Sequence, residues 1–228
     1  MKSLSDKKII ESWHKNAHAW INAIRNNEIQ SRVEITNQAI IDTILDLKPK
    51  SVLDIGCGEG WLVRELCQKG IDTLGIDVVA ELIDYAQQTG KGRFDLISYE
   101  QLATNTLNEK FDLVVCNFSL LGKESVEDIF NIIPTLLNPG GHFVIQTLHP
   151  KTACGHLEYK DGWRDGSWDG FNKQFSDPAP WYFRTLASWE RLYDTNSLNL
   201  LNNLEYFCQN NKLVSIVFVA QLSNKEFI

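Results

Sequence analysis

The densest group of chemically capable residues in the chain is Asp54-Ile55-Gly56-Cys57-Gly58-Glu59-Gly60-Trp61. It joins an apolar strand, ending in an acid, to a glycine-rich turn and the start of a helix. A second apolar run ends in another acid, Leu74-Gly75-Ile76-Asp77. Gly56 and Gly58 stand where the backbone must turn sharply and approach a ligand, and a Cβ would obstruct both tasks. Asp77 lies 21 residues after Gly56, close to the roughly 20-residue spacing at which an acid accepts ribose hydroxyls. A carboxylate can accept from both hydroxyls at once. Strand, glycine turn, helix, strand and acid together form a βα unit suited to an adenosine-bearing ligand.

The third glycine discriminates among such ligands. A dinucleotide site reads Gly-x-Gly-x-x-Gly, whereas Gly60 comes one residue early and Trp61 holds the expected place. The turn is also acidic, with Asp54 before it and Glu59 within it. Carboxylates beside a pyrophosphate repel it by about 1 kcal/mol or more per close pair. A cationic sulfonium bearing an α-ammonium has the opposite preference.

Asp54 to Gly60, followed by Gly75-Ile76-Asp77, resembles motifs I and II of the class I S-adenosylmethionine-dependent methyltransferases. Phe111-Asp112-Leu113-Val114-Val115-Cys116-Asn117 resembles that family's fourth strand. Leu136-Leu137-Asn138-Pro139-Gly140-Gly141-His142-Phe143-Val144-Ile145 resembles the turn before its fifth. Together the segments cover roughly residues 33 to 148. The resemblance implies an α/β fold, a Rossmann-like three-layer sandwich. Its sheet is mostly parallel and seven-stranded, in the order 3-2-1-4-5-7-6 with the last strand antiparallel. It further implies S-adenosylmethionine as cofactor and S-adenosylhomocysteine as product.

The elements that must position these residues follow from hydrophobic periodicity. Residues 5–27 and 30–46 carry helical spacing. Strands are expected at 51–55, 72–76, 93–97, 111–117 and 142–147, with helices at 60–69, 79–89, 99–103 and 125–137. That alternation predicts a parallel sheet with helices on both faces and ligands at the strands' carboxyl ends. Residues 148 to 184 break the pattern and are rich in Gly, Asp, Pro and aromatics. A helix near 186–195 and strands near 198–206 and 212–221 close the chain.

Composition bounds the function. The 228 residues are 43% hydrophobic and 22% charged, enough for one globular domain, 1–228. Within it, 1–47 reads as an N-terminal helical lid and 148–189 as a substrate-side insertion. A net charge of −7 argues against nucleic acid or an anionic membrane as partner. Met1 to Lys8 lacks the apolar stretch of a signal peptide. Five scattered cysteines without Cys-x-x-Cys fit a reduced, cytoplasmic setting. A monomer or homodimer is expected. His149, Cys154 and His156 match no standard zinc spacing, so no metal is expected.

Site residues are implied by the resemblance at matching positions. Asp54, Gly56, Cys57, Gly58, Asp77 and Val78 would hold the cofactor. So would Ser98, Tyr99, Asn117 and Phe118 after the third and fourth strands. Arg32 would meet its carboxylate, a group a guanidinium forks onto well. Relatives often carry an acid where Ser98 stands and Asn/Asp-Pro-Pro-Tyr where Asn117-Phe118-Ser119-Leu120 stands. The missing prolines and tyrosine lower the odds of a nucleobase amine as acceptor. Glu59 would favour the following helix through its dipole. His149, held extended before Pro150, would be a base or a substrate anchor, since its pKa near 7 suits a hydroxyl nucleophile. Trp20, Trp181, Tyr182 and Arg184 would border the acceptor. Trp163, Trp168, Phe171, Phe175 and Phe183 would form either an aromatic wall or the insertion's own core.

The expected activity is methyl transfer to a small, apolar or aromatic acceptor, by O-methylation. The resemblance to quinone-biosynthesis O-methyltransferases lies at the level of the family. An NAD-dependent oxidoreductase, a non-catalytic S-adenosylmethionine-binding protein, and a protein or RNA methyltransferase remain as alternatives.

Overall fold

A computed structural model describes residues 4–104, 107–208 and 210–223. The first three residues of the 1–47 segment and the last five of the 1–228 domain lie outside the described residues. Helix α1 (Asp6–Arg25) is capped by Ser5, whose Oγ accepts the Lys8 N–H. A π-helical turn, Arg32–Thr36, runs into α2 (Asn37–Asp46). Strand and helix then alternate: β1 (Ser51–Ile55), α3 (Trp61–Gln68), β2 (Asp72–Asp77), α4 (Ala80–Thr89), β3 (Arg93–Leu96) and α5 (Tyr99–Ala103). Next come β4 (Phe111–Asn117), α6 (Glu124–Leu136), β5 (Leu137–Leu148) and the single turn α7 (Pro150–Ala153). A small ribbon, β6 (Gly162–Arg164) with β7 (Trp181–Phe183), precedes α8 (Leu186–Thr195) and the hairpin β8 (Leu198–Phe207) and β9 (Leu213–Leu222).

Seven strands form one sheet in the order β3-β2-β1-β4-β5-β9-β8. β1 to β5 run parallel, and β9 enters antiparallel between β5 and β8. Counted within the sheet, this is the expected 3-2-1-4-5-7-6. Its central strands are apolar on both faces because helices cover both. Side-chain direction alternates along each strand. Leu53, Val114, Cys116 and Phe143 therefore share a cluster with Phe130 of α6 and Tyr193 of α8. Val52, Leu113, Val115 and Val144 share the other with Ile40 and Ile44 of α2 and Leu62 of α3. Each such side chain contributes roughly 1.5–3 kcal/mol on burial. The strand ends are thereby fixed platforms for the loops above them.

Three local features differ from the expected elements. The second helix opens with a π-turn, because an apolar period read over several turns is too coarse to reveal one widened turn. β5 starts at Leu137, which pairs with Phe111, and the ladder shifts register before His142 meets Leu113. Gly140, at φ 76°, supplies the left-handed residue that this bulge needs. The irregular 148–184 segment holds α7 and the ribbon, whose three-residue strands are too short to set up a period-two pattern.

Candidate cofactor and acceptor site

A cavity of about 440 Å³ opens at the carboxyl ends of β1, β2, β4 and β5. That is the side on which an open α/β sheet binds ligands, and the size is typical of small-molecule sites, roughly 300–1,000 Å³. Its walls are the glycine turn, the π-turn, α1 and the segment around β7.

The glycine turn is tied to β2 by Gly56 N and Cys57 N, which donate to Ile76 O at 2.8 and 3.0 Å. Gly56 has φ 75°, and a Cβ there would stand 2.4 Å from Ser119 Cβ. The Gly58 N–H donates to Asp77 Oδ2 at 2.9 Å, and the Val79 N–H to Oδ1 at 3.0 Å. Held from both sides, the Asp77 carboxylate keeps lone pairs for two vicinal hydroxyls. Burial pushes its pKa up, while the Val79 and Gly58 amides pull it back. Glu59 is buried below this turn: its Oε1 accepts the Trp61 N–H at 3.1 Å, and its other oxygen pairs with Arg64. The N-terminus of α3 is thus closed by a carboxylate of the chain itself.

Arg32 lies with its guanidinium over the indoles of Trp20 and Trp61, at 5.5 and 5.0 Å from the ring centres. Its Nε donates to Asn37 Oδ1 at 3.3 Å, while its buried Nη2 has no partner among the described residues. Burial lowers its pKa to about 10, with Glu59 and Asp54 opposing, so it stays cationic at neutral pH. Thr36 Oγ1, four residues on in the π-turn, and Asn117 Oδ1 are also buried without partners, and both residues line the cavity. An unmet guanidinium donor asks for a carboxylate, and an unmet amide oxygen asks for a donor such as an ammonium. The amino-acid end of S-adenosylmethionine carries both groups, and Asp77 stands where its ribose would be read. The residues present therefore fit that cofactor.

Asp54 lies outside the cavity wall, 2% exposed, with Oδ1 unpartnered among the described residues. Burial first, then the nearby Asp77, raise its pKa to about 8 against the pull of Arg32. A cation entering the cavity would favour its ionised form.

Gly56, Cys57, Gly58, Asp77, Val78, Tyr99, Asn117, Phe118 and Arg32 line the cavity, as do Trp20, Trp181, Tyr182 and Arg184. Tyr99 Oη donates to Ser119 O at 3.1 Å. Ser98 stands apart from this wall. Its Oγ accepts the Gln101 N–H and its N–H donates to Gln101 Oε1, a capping box that starts α5 and leaves the residue off the cavity wall. So does His149. Its ring is fully buried, with Nε2 2.9 Å from Glu205 Oε1 and Nδ1 accepting the Lys151 N–H at 3.2 Å. Leu148 and Pro150 on either side line the cavity, while the His149 ring is drawn away from it to Glu205 of β8. Of the aromatic segment, Trp168, Phe171 and Phe183 reach the cavity, whereas Phe175 packs on Ala19 and Ala23 of α1. Thr36, Trp61 and Asp6 were not anticipated. Thr36 carries a sequence signal in its position four residues after Arg32, and Trp61 in directly following the glycine turn.

Helix α1 covers this site and is fastened at its N-terminal end and near its middle. Asp6 Oδ1 and Oδ2 accept the Lys123 and Ser125 N–H groups at 2.9 and 2.7 Å, capping α6. Asn16 exchanges two 2.8 Å hydrogen bonds with the Ser176 backbone. Lys8 and Lys15 both pair with Asp177.

Residues 29–214 match a family model described as a methyltransferase domain. A ubiquinone biosynthesis O-methyltransferase from Cupriavidus pinatubonensis is 28% identical over 151 residues, 64% of this chain. The chain spans only 60% of that relative's length. A solved S-adenosylmethionine-dependent methyltransferase from Clostridium acetobutylicum superposes with a TM-score of 0.68 at 19% identity, covering 90% of this chain and 99% of that one. A magnesium protoporphyrin IX methyltransferase from Synechocystis, solved with bound S-adenosylhomocysteine, gives 0.66 at 17% identity, covering 96% and 100%. At such identities the two structures establish the fold alone. The family model, spanning most of the chain, establishes the rest: this chain belongs to the methyltransferase-domain family, on the class I S-adenosylmethionine-dependent methyltransferase fold.

Proposed function

We propose that the protein binds S-adenosylmethionine in this cavity and transfers its methyl group to a small-molecule acceptor by O-methylation, leaving S-adenosylhomocysteine. The observation that carries the reading is the N-terminus of α3. A dinucleotide fold seats its pyrophosphate there, but the buried Glu59 carboxylate occupies that place. A phosphate-free, cationic nucleoside is the ligand that remains compatible.

Bound there, the cofactor supplies a sulfonium methyl open to in-line displacement. The chain's part is orientation, the main requirement of such a reaction. Asp77 accepts the ribose hydroxyls. Tyr99, Val78 and Val79 flank the base. Arg32 and Thr36 take the carboxylate, and Asn117 takes the ammonium. Trp20, 3.4 Å from where a Gly58 Cβ would be, belongs with the cofactor rather than the acceptor. Residues 148–189, through Trp181, Tyr182 and Arg184, border the acceptor, and α1 acts as the lid. No base is assigned to His149. Among the described residues, no helix is long and apolar enough to cross a membrane, and we place the enzyme in the cytoplasm as a monomer or homodimer.

Transfer of labelled methyl from S-adenosylmethionine to a panel of hydroxylated aromatic acceptors tests the reading. Label should appear in an ether or ester product with stoichiometric S-adenosylhomocysteine. Tight S-adenosylhomocysteine binding without turnover on any acceptor would leave a binding protein instead.

A further inference from the structure

Arg184 bears on the class of acceptor. Its side chain lines the cavity and is 3% exposed. Nη1 donates to Gly122 O at 2.7 Å and Nη2 to Lys123 O at 2.9 Å. Both partners are neutral carbonyls, and a guanidinium has five donors. The group is held over the rings of Tyr182 at 4.8 Å and Trp189 at 5.3 Å.

Among the described residues, no carboxylate makes an ion pair with it. The acids in its surroundings are Glu127, Asp161 and Asp6, and none of them comes within the 4.0 Å of an ion pair. Each is committed elsewhere. Asp6 caps α6, Asp161 accepts the Thr185 N–H at 2.8 Å, and Glu127 lies 4.0 Å from Lys123. Burial lowers the Arg184 pKa, and the more distant charges of Glu127, Asp161 and Asp6 offset only part of that. Pinning two carbonyls needs donors and no charge, so the two hydrogen bonds do not account for a buried cation. A buried charge is costly unless a counter-charge meets it. Around it the wall is apolar and aromatic: Trp13, Leu121, Trp168, Phe171 and Trp181.

We infer that the acceptor is an aromatic carboxylic acid, bound as its carboxylate against the unoccupied donors of Arg184 with its ring among these side chains. The inference rests on the reading of this cavity as a methyl-transfer site and narrows it. An aromatic amine or a neutral phenol would leave the guanidinium without an ion pair.

The test is calorimetry on the full chain saturated with S-adenosylhomocysteine, using matched acid and amide pairs. These are benzoate and benzamide, 2-naphthoate and 2-naphthamide, and indole-3-carboxylate and indole-3-carboxamide. At least one acid should bind about tenfold or more tightly than its amide, as a charge-assisted fork allows. Arg184→Gln should erase that preference, and Arg184→Lys should keep part of it. S-adenosylhomocysteine affinity should be unchanged within about threefold in both variants, which also reports that they fold. Should Arg184→Gln fail to fold, the wild-type pairs and Arg184→Lys decide. No preference for any acid in the wild type, or a preference that survives Arg184→Gln, overturns the inference while leaving the cofactor reading intact. Failure of S-adenosylhomocysteine to bind at all overturns both.

Discussion

Asp54 titrates near pH 8 because burial, and then the neighbouring Asp77, disfavour its charge. In the unfolded chain the group ionises near 3.9. Its folded pKa is raised, so the folded state holds the proton more tightly. That contribution to stability is present below the unfolded value and is lost as pH climbs from about 4 to about 8. Asp54→Asn should therefore raise the melting temperature of the ligand-free protein at pH 8 and change it little at pH 4. The same variant should bind S-adenosylmethionine more weakly, because a cation favours the carboxylate. A melting temperature lowered at pH 8 would count against this assignment. Arg32→Met should weaken S-adenosylhomocysteine binding by roughly 10- to 100-fold, the worth of a charge-assisted hydrogen bond. Adenosine, which lacks the carboxylate, should bind both forms alike, and equal losses for the two ligands would remove Arg32 from that role. Gly56, Gly58 and Asp77 were legible in the sequence because a backbone demand and a fixed spacing single them out. That the His149 ring turns to Glu205 was not legible, because motif position says it follows a strand but not which side of the chain it faces.

Helix α1 joins the site to the irregular segment through contacts of unequal value. The Lys8 and Lys15 pairs with Asp177 are partly exposed, and such pairs contribute about 0–1 kcal/mol. Asp6 satisfies two N–H groups at the start of α6, a cap typically worth about 1 kcal/mol. Asp6→Ala should thus destabilise more than Asp177→Ala in urea denaturation. It should also speed proteolysis of the N-terminal segment and raise the KM for S-adenosylmethionine. Equal stability of the two variants would show that the cap is not what fastens the helix. The glycine turn gives a second ordering. Gly58→Ala meets Trp20 Nε1 at an ordinary 3.4 Å and mainly incurs left-handed strain, about 1–2 kcal/mol. Gly56→Ala adds a 2.4 Å clash with Ser119 Cβ and should be the less stable of the two. The long strands and helices could be read from periodicity alone. The π-turn that carries Arg32 and Thr36, and the short ribbon that carries Trp181 and Tyr182, could not, because neither runs for two full periods of the pattern it would have to display.

At the scale of the molecule, two apolar clusters clamp the sheet from both faces and leave its carboxyl ends to chemistry. The sheet order was expected from family resemblance, and the parallel core from strand–helix alternation. What neither conveyed is how the 148–189 segment folds back onto α1, since that packing depends on long-range contacts such as Asn16 with Ser176. The central claim is that this cavity holds a phosphate-free nucleoside cofactor with an amino-acid end. Its most direct test is calorimetric titration of the purified protein with S-adenosylhomocysteine and, separately, with NADH. The account predicts saturable one-to-one binding of S-adenosylhomocysteine and no heat from NADH. At about 100-fold excess over Kd, S-adenosylhomocysteine should also add about 2.7 kcal/mol of stability, a melting shift of roughly 5–10 °C. No heat from S-adenosylhomocysteine together with saturable NADH binding would contradict it.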